Sequence, residues 1–425
     1  MEKRIIKTII KEKQREILLT NLVERPIKFD SGVSYVLVGI RRAGKSYQMF
    51  QDIKARTASG ELTIQDCLYI NFEDERLSSL QASELGIIID CYSEMYDNPR
   101  PYIYLDEIQN VDGWEKFARR LADSKYRVMI TGSNAKMLSG EIATTLGGRF
   151  VVREVFPFSF PEFLQWHGLS LGRNWEYDPE IRVQVVKLFE TYFRFGGFAE
   201  TFALSNKREW INSLYQKILV GDIISRNNIR NGNAIRLLAK KLAGSVMQPT
   251  TQTRLHHIVK SSGNNVSRNS IVDYLGYMND AYLTFTVSNF TDSLSERSTI
   301  CKRYFYDNGI LNNFLFEGET LLLENMVAID MIKRYRQGEN DGVYYYSKSI
   351  EVDFYVPDSG LAVQVCYSID DLETRDRETR ALIKLAEVFP VKRFVVVTFD
   401  QEITLHTDGL DIEVVPVWKW ISRPS

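Results

Sequence analysis

Gly39-Ile40-Arg41-Arg42-Ala43-Gly44-Lys45-Ser46 has two glycines five positions apart, then a lysine and a hydroxyl, the spacing G-x-x-x-x-G-K-[ST]. Glycines there let the backbone wrap round phosphate oxygens so that successive N–H groups point inward, and a helix starting at Lys45 adds a dipole that favours the anion. Lys45 is the expected contact to the β- and γ-phosphates, Ser46 the expected Mg²⁺ ligand, and Tyr47 the next residue of the cradle. The competing reading is a glycine-bearing strand-to-helix turn with no ligand.

Further along, Tyr102-Ile103-Tyr104-Leu105-Asp106-Glu107 is an apolar run ending in two acids. Asp106 is the candidate for the magnesium sphere, and Glu107 the candidate base that orients or deprotonates an attacking water. Thr131, Ser133 and Asn134 close a later apolar run and are candidate γ-phosphate sensors, although turns favour the same residue types. Asn71 could restrain Glu107 or simply end a strand. Arg149, after Gly147-Gly148, could neutralise charge on the leaving phosphate in cis or from another subunit, or form an ordinary surface ion pair. The implied cofactors are ATP and Mg²⁺.

These residues need a frame. Tyr35 to Val38, Cys67 to Phe72, Pro101 to Leu105 and Tyr126 to Thr131 read as buried strands. Tyr47 to Ala58, Ala82 to Tyr96 and Trp114 to Ser124 have helical length and spacing between them. This βαβ alternation predicts a parallel sheet with helices on both faces. From Asp178 to Asp280 helices dominate. Strands return at 342–347, 351–356, 361–366, 393–398 and 412–417, with helices at Glu324 to Arg336 and Thr374 to Val388. No repeat or low-complexity tract is present.

The chain has 425 residues, 44% hydrophobic and 25% charged, enough for several cores. Its N-terminus mixes Lys3, Arg4, Lys7, Lys11 and Lys13 with short apolar pairs, unlike a signal peptide. No run approaches the roughly 20 apolar residues of a membrane span. A cytoplasmic location without membrane contact is therefore expected. Cys67, Cys91, Cys301 and Cys366 are too scattered for a zinc or disulfide framework. Net charge is −2, yet residues 223–272 contain no acid and eight basic residues, Arg226, Arg230, Arg236, Lys240, Lys241, Arg254, Lys260 and Arg268. Such a window suits double-stranded DNA, or a solvated face whose acidic partners lie elsewhere.

Taken together, GIRRAGKS, YINFEDERL, YLDEIQNVDGWE, ITGSNAKML, LGGRF with VFPFSFPEF, and YFRFGGFAE resemble the prokaryotic AAA-type P-loop ATPases with an uncharacterised C-terminal region. The resemblance spans nearly the whole chain. It implies an α/β P-loop NTPase domain at 1–165, a helical connector at 166–205, a winged-helix-like domain at 206–300 and a small α/β restriction-endonuclease-like domain at 301–425. In the third segment, Leu255 to Val259 and Asn265 to Leu275 read as a helix, a turn and a second helix capped by Ser267 or Asn269. Arg268, Asn269 and Ser270 would then lead a recognition helix. In the fourth, Glu324 and Asp353 suit a metal-dependent nuclease site, but Gln364-Val365-Cys366 stands where Glu-x-Lys is needed. That domain therefore reads as a nuclease relic, with Lys348 and Glu351 as the nearby groups able to compensate.

Three functions follow: an ATP-driven conformational switch acting on DNA or a protein, an ATP-regulated nuclease with a divergent site, and a nucleotide-gated binding module with little turnover. Self-association stays open.

Overall fold

The computed structural model describes residues 2–133, 144–291, 293–297, 299–336 and 342–423. Asn134 therefore lies outside the described residues. The chain divides into two units, Met1–Phe156 with Asp280–Tyr282, and Pro157–Asn279 with Leu283–Ser425.

The first unit is a five-stranded parallel sheet in the order β2-β3-β4-β1-β5, formed by β1 (Ser34–Val38), β2 (Cys67–Asn71), β3 (Tyr102–Asp106), β4 (Val128–Gly132) and β5 (Phe150–Glu154). Strands β1 to β4 carry near-continuous apolar runs because both sheet faces are covered. Three of the covering helices are α2 (Lys45–Ala58), α3 (Gly86–Ser93) and α4 (Glu115–Asp123). The N-terminal segment, read from sequence only as a charge-mixed stretch, is helix α1 (Lys3–Leu19). Its Ile6, Ile9, Ile10 and Ile17 recur at helical spacing and are fully buried, each worth about 1.5–3 kcal/mol of burial.

In the second unit, the segments around FPFSFPEF and YFRFGGFAE pack on each other. They form α5 (Phe160–Trp166) and α6 (Pro179–Phe195). Phe160 meets Phe189 at 5.5 Å and Phe163 meets Phe202 at 4.7 Å, both edge-on. A Cβ on Gly197 would lie 2.1 Å from the Phe158 carbonyl oxygen, so only glycine fits there. Helices α7 (Lys207–Lys217), α8 (Gly232–Ala243), α9 (Gln252–Ser261) and α10 (Arg268–Asp280) follow. Ser267 is the cap of α10, its hydroxyl accepting the Ser270 N–H at 3.0 Å.

The remaining strands make one nine-stranded sheet in the order β13-β14-β12-β11-β10-β9-β7-β8-β6. They are β6 (Thr250–Thr251), β7 (Thr284–Asn289), β8 (Ile300–Phe305), β9 (Tyr344–Ser347), β10 (Glu351–Val356), β11 (Leu361–Val365), β12 (Arg393–Thr398), β13 (Ile403–Thr407) and β14 (Leu410–Pro416). Helices α11 (Glu319–Tyr335) and α12 (Leu372–Ala386) interleave with them. The hairpin β7–β8 joins the later strands through parallel pairing of β7 with β9, Ser288 opposite Tyr344. The boundary expected at 300/301 thus falls inside β8, and the sheet runs unbroken across it.

Candidate functional site: the P-loop and its acids

β1 ends at Val38 and the chain turns sharply. A Cβ on Gly39 would sit 2.2 Å from the Val155 carbonyl oxygen, and its φ of +143° belongs to glycine. Arg42 (φ +70°) and Gly44 (φ +93°) continue the left-handed backbone that curls the loop, and α2 opens at Lys45. The N-cap of α2 is Gly44, which offers no side chain to the first N–H groups of the helix, the groups that a phosphate cradle uses. Ile40 and Ala43 are buried, Arg41 pairs with Glu73 at 3.2 Å, and Tyr47 is half exposed. The buried guanidinium of Arg25 braces the loop by donating to the carbonyls of Ala43 (3.1 Å) and Phe156 (3.0 Å). Sequence reading missed Arg25, which sits in no motif.

Lys45 is buried, and its Nζ donates to the Gly39 and Ile40 carbonyls at 3.0 and 3.2 Å. It lies 3.8 Å from Glu107 Oε1. Glu107 follows β3 with φ +52°, uncommon for a residue with a Cβ; such backbone clusters where a side chain must be aimed. Its N–H donates to Thr131 Oγ1 at 2.8 Å, and its carboxylate accepts from Gln109.

Asp106 is buried at the end of β3. Tyr69 donates to its Oδ2 at 2.5 Å, Thr131 to its Oδ1, and Ser46 is a further hydroxyl partner. Burial pushes the Asp106 carboxyl above its ordinary range, while the hydroxyls of Thr131 and Tyr69 pull it back. Thr131 thereby links Asp106 to the backbone of Glu107. Ser133 Oγ, two residues further on and buried, has no hydrogen-bond partner among the described residues, an orphan that a phosphate oxygen or water would satisfy.

Asn71 accepts the Glu73 N–H at 2.8 Å, closing a turn after β2. Arg149 is paired with Asp123 at the end of α4 and donates to the carbonyls of Gly147 at 3.1 Å and Leu146 at 3.4 Å.

The residues fit a magnesium-bound triphosphate: a buried carboxylate and a serine hydroxyl in contact, a lysine at the loop, and an unsatisfied hydroxyl nearby. Such an ion needs only one or two protein ligands, since phosphates and water complete its shell. Among the described residues no group of three or more His, Cys, Asp or Glu is arranged to hold a metal.

A family model described as an AAA domain matches residues 32–164, and one described as a domain of unknown function (DUF8612) matches 186–321. An uncharacterized protein of Methanocaldococcus jannaschii is 31% identical over 398 residues, 91% of this chain and 87% of that one. The chain belongs to the AAA-type P-loop ATPases. An uncharacterized protein of Haemophilus influenzae is 26% identical over 414 residues, 94% of this chain and 97% of its own. Among solved structures, a Walker-type ATPase of Pyrococcus abyssi aligns at 13% identity and TM-score 0.39, covering 72% of this chain and 95% of that one. The ORC1 protein of Aeropyrum pernix, solved in complex with DNA, aligns at 14% identity and TM-score 0.30, covering 76% and 93%.

The C-terminal candidates lie in the second unit. Asp353 on β10 and Glu324 on α11 converge, while Gln364 on β11 uses its amide elsewhere: Oε1 accepts the Asp353 N–H at 2.7 Å and Nε2 donates to Glu378 at 2.7 Å. Cys366 is buried, and burial pushes its thiol up to about 12. Beside them opens a cavity of about 800 Å³ bordered by Glu351, Asp353, Gln364, Cys366, Arg377 and Glu378. Lys348 forms the turn into β10, its N–H donating to the Ile350 carbonyl at 3.1 Å. No helix among the described residues is long and apolar enough to cross a membrane.

Proposed function

We propose that this protein hydrolyses Mg-ATP at the P-loop and that hydrolysis drives a conformational switch. The observation that carries the reading is the placement of Glu107: a left-handed backbone, the Thr131 bond and the neighbouring Lys45 hold one carboxylate beside the phosphate-binding lysine. Lys45 and the backbone of 39–47 bind the phosphates, Ser46 and Asp106 hold Mg²⁺, and Glu107 takes the proton of the attacking water. The magnesium ion supplies charge neutralisation on the phosphates. Ser133 is the residue we assign to sensing the γ-phosphate, since its hydroxyl has no other partner among the described residues. Arg149 is part of the reading as the γ-phosphate arginine, in cis or from a neighbouring copy; its exposed pair with Asp123 is cheap to open.

Steady-state hydrolysis by wild type, Lys45→Ala and Glu107→Gln tests this. Turnover should fall by roughly 100-fold or more in both variants, with Glu107→Gln still retaining nucleotide. Undiminished turnover in Glu107→Gln would remove it as the base. Nucleotide retention without wild-type turnover would point instead to a nucleotide-gated binding module.

Double-stranded DNA is the output we favour. Helix α8, strand β6, helices α9 and α10 and the hairpin β7–β8 follow in winged-helix order, with β6 pairing β8. Arg254, Lys260, Arg268 and Asn269 are exposed on α9 and α10. Charge reversal at Arg254, Lys260 or Arg268 should weaken DNA binding and lower the salt slope by about one for every phosphate left without its cation. Unchanged DNA binding would turn the search to a protein partner.

A further inference from the structure

Lys302, on β8, is fully buried, yet three carboxylates from two other elements converge on its ammonium. Asp353 Oδ1 lies at 2.8 Å, Glu351 Oε1 at 3.0 Å and Glu324 Oε1 at 3.4 Å. An ammonium has three protons to donate, and three acceptors are present. Tyr304, two residues along the same strand and so on the same face, donates to Glu324 Oε1 at 2.7 Å. Asp353 Oδ2 is fixed by the Val365 N–H at 2.9 Å. Glu324 Oε2 is buried without a hydrogen-bond partner among the described residues. Acids drawn from a helix and a strand meet at this one ammonium and not at metal-ligand spacing; carboxylate oxygens are the ligand type that a hard divalent cation takes.

We infer that the Lys302 ammonium is the resident cation of this site, standing where Glu324, Asp353 and Glu351 would otherwise hold a divalent metal. The site thus draws its cation from within the chain. Gln364 fits the same scheme: a glutamate there would set a second negative charge against Glu378, whereas the amide bonds to it. The cavity beside Asp353 is left with a polar wall and no Lewis acid of its own. A metal would need the carboxylates to close in from ammonium distances to about 2.0–2.6 Å, a shift that the exposed Glu351 and the unsatisfied Glu324 oxygen permit once the lysine head is gone.

The test counts Mn²⁺ bound to the nucleotide-free full-length chain by electron paramagnetic resonance, in wild type, Asp353→Asn, Lys302→Met and Lys302→Met/Asp353→Asn. Any Mn²⁺ held near the P-loop is common to all four and drops out of the differences. Lys302→Met, which keeps the aliphatic stem, should bind one more Mn²⁺ per chain than wild type, and the double variant should lose it again. Without metal, Lys302→Met should melt roughly 10 °C lower than wild type and recover much of that loss in Mn²⁺. The inference is overturned if Asp353→Asn lowers the Mn²⁺ count of the wild-type background, or if folded Lys302→Met gains no ion. It is equally overturned if Lys302→Met fails to fold even with Mn²⁺ present, because the metal should then replace the lost charge.

Discussion

Thr131 shows how much one hydroxyl can organise. It donates to Asp106 and accepts the N–H of Glu107, so the proposed metal-holding acid and the proposed base are registered to each other through a neighbouring strand. Thr131→Val keeps the shape and removes both bonds. Turnover should fall by roughly 100-fold, as for a misplaced catalytic group, while nucleotide affinity changes little; kcat and fluorescent-nucleotide titration separate the two. At the second cluster, burial first and the charge of Asp353 next push Glu324 up to about 7, against the pull of Lys302. The folded protein then keeps a proton that the unfolded chain releases near its ordinary value of 4.5. Stability from this group is present below that value and lost as pH rises through about 7. In Glu324→Gln, thermal melts between pH 4.5 and 8 should show a flatter decline than in wild type.

Helices and strands differ in how plainly they announce themselves. Strands β1 to β4 were readable because each is a short apolar run enclosed on both faces, and the P-loop was readable because its glycines serve one backbone path. Gly39→Ala should therefore abolish nucleotide binding, since the new Cβ has the Val155 carbonyl at 2.2 Å; isothermal titration with ATP checks this. Strand β5 escaped the reading because Val151 and Val152 lie on an exposed stretch and give no core signature. Strand β8 escaped for the opposite reason: Lys302 and Arg303 are adjacent cations, a pattern expected at a surface, yet both are buried. Their partners lie far off in sequence, so the lysine that completes the Glu324–Asp353 cluster could not be found by spacing. Helix α1 did carry a signal, its isoleucine periodicity, which the interspersed lysines obscured.

The continuous sheet of the second unit sets limits on dissection. β7 lies between β8 and β9, so a fragment of residues 301–425 would retain most of β8 without the strand that joins it to the rest. Such a fragment should be poorly soluble and lack a cooperative melt, whereas the full chain should melt cooperatively; circular dichroism and gel filtration decide. A well-folded 301–425 fragment would contradict the importance given to β7. The same topology bears on the time course of synthesis. The hairpin β7–β8 can close on local pairing, but β7 must wait for β9, and Lys302 must wait for Glu324 and Asp353, all made later. Until then one hairpin edge is open and a cation destined for the interior stays hydrated. Non-local pairing of this kind is slow, so the nascent chain passes through an interval in which its unfinished sheet is open to mispairing with other chains.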